Sequence, residues 1–561
     1  MKAKVGPRLA IGVVAAGLLL PVNATQAAAA AGPRIPVVMT GAQLSSLAGV
    51  RGENLAGFRW TGSGWQPAPV QLDERKVLDP GQIRNRPAAG FTTLQYADAR
   101  TLTGADPAVG LDANDEVVFL AEDAGLSAPA QSMRPPGTTG AGIRVAITHP
   151  ALSGERFLYL FRASGRVLPP RDDVTYRFQL NSGAYPATYK TGNGPNPETS
   201  WASTSTYRLG FSDRWLTHEL RLGPTGPDIL DGFKNRFGLE TCGRSNETFS
   251  RGGGGLIANI DGPVRAIRSV LGANSGTYTQ RTTTMYADRF DVGIDLRVHA
   301  IPGVMDLVDY SAAADGYTYQ NNLMPTGVQL DGVDDAVPAV LPTWERLSGP
   351  AGSLLTTREY VSSLGLSPSL SYTDRAPTGA ELECWGDGTF RGMSGGEVTG
   401  GIPNTDPSRG QAAGNLRSVA IYSVLGPSAN STGSAALAQR HEAPLTRVSA
   451  YRPAVANPQP PVTESPKKPK AKVTARAKRK RDKLRVRVRP KLVEGRQWKF
   501  SIQQRKTRKS GNRVWRTKKQ SQTRTKKHVR TLDLQPGRYR VKVQERRSYA
   551  SGKSGSLRLR R

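Results

Sequence analysis

The sequence is poor in the residues that most often carry catalysis or bind metals. It holds 2 cysteines and 5 histidines in 561 residues. The histidines never stand at i, i+2 or i, i+4, which excludes a short-range zinc motif. The Gly-x-Ser-x-Gly match at 392–396 lacks the strand-turn-helix context of a nucleophile elbow. The four-glycine run at 252–255 lacks the lysine of a phosphate-binding loop, so no reaction follows from these motifs.

Long apolar runs and acidic residues are also scarce. The apolar stretch at 9–22 is too short for a membrane span. Cations precede it and small residues at 24–31 follow it, an order typical of a secretory signal peptide. We therefore predict that residues 1–31 are a signal peptide and that the protein is secreted, extracellular or associated with the cell wall. It has 45 acidic against 77 basic residues and a formal net charge of +32.

The two cysteines, Cys242 and Cys384, both lie in the middle of the chain. In an oxidising compartment an even pair indicates a disulfide. It would close a loop of about 140 residues and contribute on the order of 5 kcal/mol in the chain-entropy model. The alternative is two buried thiols.

Turn-forming residues are abundant, with 61 glycines and 40 prolines, and helical periodicity is nowhere sustained. This combination favours many strands joined by short turns. We predict an all-β fold, in which a large antiparallel β-sandwich body is followed by a small C-terminal β-sandwich module. The predicted divisions are an N-terminal β-rich region at 32–195, a central β-sandwich at 196–452, a Pro/Lys-rich linker at 453–472 and a basic β-sandwich at 473–561.

The most regular pattern in the body runs from Phe290 to Ala300. Apolar side chains alternate there with polar ones, glycine and ionisable groups. Since side chains in a strand point to opposite faces with period two, this is one long strand with an apolar and a polar side. A strand of this length needs a large sheet beneath its apolar face.

The polar side of this strand supplies the candidate catalytic residues. Asp295, Arg297 and His299 share a face, about 7 Å apart in succession, and Tyr286 precedes them. Such a set could line a groove for a polymer, where Arg297 neutralises an acidic sugar and His299 or Tyr286 abstracts a proton. The alternative is an ordinary solvated sheet face with Asp–Arg cross-strand pairs.

An acidic turn at 111–116 crowds several oxygen ligands together. Asp112, Asn114 and Glu116 are candidate calcium ligands. The turn lacks the glycine and the distant glutamate of an EF-hand loop, so a solvated turn that starts the strand at 117–120 is favoured. We predict no metal site and no cofactor.

The basic excess belongs to the end of the chain. Residues 466–561 contain 37 lysines and arginines against 4 acidic residues. Apolar and cationic residues alternate there, which favours a folded sandwich with cations outside rather than a disordered tail. The candidate polyanion-binding residues are Arg485, Arg487, Arg489, Arg538, Arg540 and Lys542. Wall polymers or acidic polysaccharides are the expected partners; nucleic acid is a possible but less favoured one.

The stretch GRYRVKVQERRSYASGKSGSLRLRR resembles the C-terminal immunoglobulin-like sandwich modules of secreted actinobacterial proteins. The resemblance covers about 90 residues. It implies an immunoglobulin-like fold and an extracellular location, and it implies no catalytic activity. LDANDEVVFLAEDAG and GPVRAIRSVLGANSG resemble the bodies of such proteins, and GPVRA alone is similar to strands of carbohydrate-active super-sandwich domains. Two functions stay open. One is a secreted protein that binds polyanions or the cell envelope through its basic module. The other is a carbohydrate-active enzyme, such as a polysaccharide lyase, that the module tethers.

Overall fold

The computed structural model describes most of the chain after the first 32 residues. The described residues are 33–83, 89–130, 132–165, 173–185, 187–192, 194–237, 254–272, 277–297, 303–362, 366–379, 381, 389–398, 415–429, 433–454, 472–477, 483–489, 498–507, 513–522, 529–535, 537–543, 553–554 and 556–559. The predictions for the signal peptide, for the Cys242–Cys384 disulfide and for His299 fall outside them. The chain divides into two compact units, Met1–Ala456 and Asn457–Arg561.

Short strands and tight turns build the N-terminal part of the first unit. Its strands are β1 (Pro36–Thr40), β2 (Leu55–Trp60), β3 (Trp65–Ala68), β4 (Gln71–Asp73), β5 (Arg75–Leu78), β6 (Thr93–Tyr96), β7 (Glu116–Leu120), β8 (Thr138–Thr148) and β9 (Arg156–Ala163). A short helix, α1, spans Pro80–Ile83, and 3-10 helices span Gly41–Leu47, Gly52–Asn54 and Ala121–Asp123. The strands carry apolar residues on the face that they bury, and Val37, Phe119, Val145 and Leu160 are fully enclosed in one core.

The central part continues with longer strands. They are β10 (Thr175–Arg177), β11 (Ser200–Ser203), β12 (Tyr207–Phe211), β13 (Thr217–Leu222), β14 (Leu230–Phe237), β15 (Gly255–Asp261), β16 (Ala266–Leu271), β17 (Thr279–Met285), β18 (Arg289–Arg297), β19 (Val304–Tyr310), β20 (Thr318–Asn321), β21 (Met324–Gln329), β22 (Glu345–Gly349), β23 (Gly352–Ser362), β24 (Pro368–Arg375), β25 (Phe390–Val398), β26 (Asn415–Leu425) and β27 (Leu445–Tyr451). Helix α2 spans Ser434–Ala438, and 3-10 helices span Ala312–Ala314, Pro427–Ala429 and Gln439–His441.

A nine-stranded sheet, in the order β15-β16-β17-β18-β26-β23-β22-β20-β21, is the largest layer of the first unit. Two four-stranded sheets, β10-β11-β12-β13 and β14-β19-β25-β24, contribute to the core on one side of it. The N-terminal sheets are β1-β7-β4, β5-β6 and β27-β8-β9-β2-β3. The last strand of the unit, β27, therefore returns to pair with β8, so residues 445–451 complete a sheet of the N-terminal part.

The predicted long strand is β18, which lies between β17 and β26 within the nine-stranded sheet. Its apolar side chains Phe290, Val292, Ile294 and Leu296 are all buried, as the alternation predicts. Ile294 and Leu296 pack with residues of β19 and β25 in the facing four-stranded sheet. The strand is confirmed as far as Arg297, where the described segment ends.

The second unit forms two small sheets around its own core. Its strands are β28 (Lys472–Ala477), β29 (Lys483–Arg489), β30 (Lys499–Thr507), β31 (Arg513–Gln522), β32 (Val529–Asp533), β33 (Gly537–Val543) and β34 (Leu557–Leu559). They pair in the orders β28-β29-β32 and β31-β30-β33-β34. Val486, Trp498, Phe500 and Val541 belong to the buried cluster that joins the two sheets.

The strand-rich architecture confirms the predicted all-β class, with antiparallel pairing in every sheet described. In the described part of the chain, no helix has the length and apolar character that crossing a membrane requires.

Candidate functional site

A cleft of about 300 Å³ lies over the polar face of β18. Its floor is one face of β17, β18 and β26, because cross-strand partners point to the same side of a sheet. The register places Gln280, Asp295 and Arg417 in one row and Thr282, Gly293 and Val419 in the next. Gly293 has no side chain, so it leaves open space above the middle of the floor. A Cβ added there would meet no atom closer than 3.8 Å.

The walls of the cleft come from strands of the N-terminal part. They are formed by Val38 of β1, Arg75 of β5, Leu94, Gln95 and Tyr96 of β6, and Glu116 of β7. Gln95 and Gln280 exchange two side-chain hydrogen bonds of 2.8 Å, which connect this wall to the floor. The cleft therefore exists only because the N-terminal strands fold against the polar face of the nine-stranded sheet.

Arg265 holds this junction together. Its Nη2 lies 2.8 Å from Asp73 and also pairs with Glu116, and its Nη1 donates to the Tyr286 hydroxyl over 3.3 Å. Arg75 donates to the second oxygen of Glu116 over 2.6 Å. The guanidinium of Arg265 is thus enclosed by acidic groups from two neighbouring strands, since Asp73 and Glu116 are cross-strand partners.

The pKa values of the two carboxyl groups beside Arg265 shift in opposite directions. Burial raises the pKa of Asp73, and the neighbouring Arg265 offsets this only in part. Burial also acts to raise the pKa of Glu116, but Arg265 and Arg75 outweigh it and hold the pKa below its usual value. Glu116 is therefore ionised at neutral pH, and it is already bonded on both oxygens.

The structure brings three of the four candidate catalytic residues to this region. Asp295 faces the cleft, 3.8 Å from its cross-strand partner Arg417. Arg297 donates to Gln280 over 2.9 Å at the edge of the floor. Tyr286 lines the cleft, but burial raises the pKa of its hydroxyl, which makes it a poor base at neutral pH. An Asp–Arg cross-strand pair is what the sequence suggested as the alternative to a catalytic set.

The arrangement suits binding better than proton transfer. The lining offers paired charges, two amides, the hydroxyls of Thr282 and Thr284, and a small apolar area at Val38 and Leu94. Glu116 already accepts from Arg75, Arg265 and Tyr96, and its lowered pKa makes it a poor proton acceptor. Such a surface can bond the hydroxyl groups of a neutral ligand in several directions.

The acidic turn before β7 bonds within the protein. Asp112 accepts the backbone N–H of Asn114 over 3.0 Å, and the carbonyl of Asn114 accepts from Arg75 over 2.6 Å. Glu116 makes the ion pairs already described. Across the described residues, no three His, Cys, Asp or Glu side chains are grouped to hold a metal ion. The turn starts β7 and positions Glu116.

The candidate polyanion-binding residues lie on both outer faces of the second unit. Arg485, Arg487 and Arg489 of β29 are exposed on the three-stranded sheet, and their neighbours Leu484, Val486 and Val488 are buried. On the four-stranded sheet, Arg538 and Lys542 are exposed and Arg540 is half-buried. Trp515, which no sequence pattern singled out, lies beside Arg540 at 4.5 Å from ring centre to guanidinium carbon.

Sequence reasoning also missed the residues that build the cleft wall. Arg75 and Arg265 are separated from β18 in sequence, and no spacing rule connects them to it. One signal was present: Arg265 stands between Val264 and Ala266 in an apolar segment, where an arginine needs an acidic partner.

Comparison with known proteins finds likeness in structure only. No family model matches the chain, and no curated protein matches its sequence. Among solved structures it is similar to an alpha-mannosidase from Enterococcus faecalis V583, with 11% identity, a TM-score of 0.29 and coverage of 79% of this chain and 52% of that one. The chain thus spans about half the length of the mannosidase. A protein assigned as an aldose 1-epimerase from Escherichia coli K12 matches with 11% identity, a TM-score of 0.21 and coverage of 45% of this chain and 99% of that one. This is a weak likeness to carbohydrate-active sandwich proteins.

Proposed function

We propose that the protein associates with extracellular polyanions, either wall polymers or acidic polysaccharides, through its C-terminal unit. The proposal places the protein outside the cell or on the cell wall, in keeping with the signal peptide predicted at 1–31. All of the excess positive charge follows residue 465, and there it sits on a folded sandwich with its own core.

The observation that carries the proposal is the pairing of like charges across the strands. The backbone partners in this unit include Arg476 with Arg485, Arg538 with Arg558, and Lys542 with Lys553. Like charges directly opposite each other destabilise a sheet. A polyanion laid across the faces relieves the repulsion and gains further free energy by releasing its own counterions.

The experiment compares three forms of the protein on immobilised polymers. The forms are the full chain, the chain truncated after Ala456 and the isolated unit 457–561; the polymers are polyglycerol phosphate, heparin and polygalacturonate. We expect the full chain and the isolated unit to be retained at low salt and the truncated chain to pass through. Retention of the truncated chain, or passage of the isolated unit, contradicts the proposal.

The cleft supports a second function, the binding of a carbohydrate by the body of the protein. The observation that favours it is the lining itself, in which hydroxyls, amides and paired charges surround a small apolar area. A bound sugar would accept from Arg417 and donate to Asp295, the most exposed of the ion pairs that line the floor. The enzymatic alternative, a carbohydrate-active enzyme such as a lyase, builds on this binding.

Titrating neutral and uronate oligosaccharides into the truncated chain tests the second function. Asp295→Asn keeps the shape of the side chain and should weaken sugar binding by about tenfold, without affecting retention on polyanions. Glu359→Gln, at an exposed position of β23, is the matched control. Absence of any oligosaccharide binding contradicts the second function and leaves the first untouched.

A further inference from the structure

Arg540 differs from the other candidate polyanion-binding residues because its side chain is held in place. Its guanidinium carbon lies 4.5 Å from the centre of the Trp515 ring. Its Nε donates to Oε1 of Gln503 over 2.8 Å. The three residues come from β33, β31 and β30, so three neighbouring strands of one sheet fix one guanidinium.

A β-bulge brings Trp515 to this face. The register of β30 and β31 pairs Ile502 with Lys519 but Gln503 with Thr517, so one residue of β31 is extra. Trp515 then pairs with Arg505, on the outer face that also carries Gln503. If β31 continued from Lys519 without a bulge, Trp515 would lie opposite Lys506 and would point to the other side of the sheet.

The two contacts leave the terminal nitrogens of Arg540 available. The guanidinium carbon lies over the Trp515 ring and Nε donates to Gln503, so neither contact uses Nη1 or Nη2. The planar fork of an arginine fits two oxygens of a phosphate, sulfate or carboxylate. Because the side chain is ordered beforehand, less conformational entropy is lost when the anion binds.

We propose that Arg540, positioned by Trp515 and Gln503, is a local oxyanion-binding site that takes one phosphate, sulfate or carboxylate group of the bound polymer. This inference rests on the proposed function of the C-terminal unit and adds a defined contact to a surface that otherwise acts by charge density. Arg538 and Lys542 flank Arg540 on the same face of β33 at about 7 Å, so they engage the neighbouring anionic groups of the chain.

The test keeps the charge and changes the geometry. Arg540→Lys retains one positive charge but loses the planar fork and the bond to Gln503. Arg513→Lys is the matched control, since Arg513 is exposed in β31 of the same sheet. The dissociation constants of the full chain for polyglycerol phosphate, heparin, polygalacturonate and single-stranded DNA are measured across a salt series. Far-UV circular dichroism and the melting temperature establish that each variant is folded.

We expect Arg540→Lys to weaken binding by about tenfold at every salt concentration, with the slope of log Kd against log salt unchanged. Arg513→Lys should stay within about twofold. Trp515→Leu and Gln503→Ala should each weaken binding several-fold, and neither should add to the loss in the Arg540→Lys background. The polymer with the largest loss identifies the oxyanion.

Equal effects of Arg540→Lys and Arg513→Lys, with wild-type binding still steeply dependent on salt, would overturn this inference and leave the proposed function standing. An effect confined to single-stranded DNA would contradict the assigned ligand and move the site to nucleic acid. Absence of wild-type binding at low salt would instead contradict the proposed function.

Discussion

Replacing Arg265 by methionine tests the junction between the N-terminal strands and the nine-stranded sheet. The Arg265 side chain is 3% exposed, and its partner Asp73 is 1% exposed. Methionine fills a similar length without charge, so Asp73 is left buried beside no cation. Glu116 keeps its ion pair with Arg75, so the substitution destabilises the charge of Glu116 less than that of Asp73.

Removing one partner of a buried ion pair costs about 3–5 kcal/mol, because the remaining charge is uncompensated. We expect Arg265→Met to lower the free energy of unfolding by about 4 kcal/mol at pH 7. The cost should shrink at lower pH. The pKa of Asp73 is already raised by burial, and without Arg265 it rises further, so the carboxyl takes up a proton and the penalty disappears below that pKa.

Urea unfolding at pH 7 and at pH 5, followed by tryptophan fluorescence, measures both effects. Arg417→Met is the matched control, because Arg417 is 58% exposed and 3.8 Å from Asp295. Its cost should stay below about 1 kcal/mol at both pH values. A penalty for Arg265→Met that equals the control, or that does not change with pH, would refute the reasoning.

Three further predictions concern the first unit. Ile294→Asp should abolish folding of the body, because it places a charge in the buried face of β18. Asp295→Ala, on the polar face, should lower the free energy of unfolding by less than about 1 kcal/mol. Equal losses of the two variants in thermal unfolding would show that the register is wrong. Mass mapping of exported protein without reductant should recover Cys242 and Cys384 in one linked peptide pair, and two alkylated thiols would contradict the disulfide. Burial holds the pKa of His441 well below its usual range, so the stability that this neutral ring contributes should be present above about pH 6.5 and be lost as the pH falls. The thermal midpoint of wild type should drop in acid more than that of His441→Gln, and identical profiles would exclude this residue as the cause.

The strands could be predicted wherever one face is buried and the other is not. Phe290 to Leu296 alternate because β18 packs one side on the sandwich core and turns the other to the cleft, and Leu484 to Val488 alternate for the same reason in the second unit. The position of β27 could not be predicted. It pairs with β8, a strand from far earlier in the chain, and periodicity carries no information on which distant strand is the partner.

The candidate sites were predictable only in part. The polar face of β18 follows from alternation, but its wall does not, because Arg75 and Glu116 reach it through tertiary packing. In the second unit the cations are visible in the sequence, whereas the contact of Trp515 with Arg540 depends on a single extra residue in β31. Bulges of this kind leave no periodic signal, since they interrupt the period.

The most direct test of the central claim is the affinity of the isolated unit 457–561 for heparin as a function of salt. Counterion release predicts that log K falls linearly with log salt, and contact with six or more anionic groups predicts a loss of about a thousandfold between about 50 and 200 mM. That result, with no measurable binding by the chain truncated after Ala456, supports a polyanion-binding unit. An affinity that is indifferent to salt, or equal binding by the truncated chain, would contradict it.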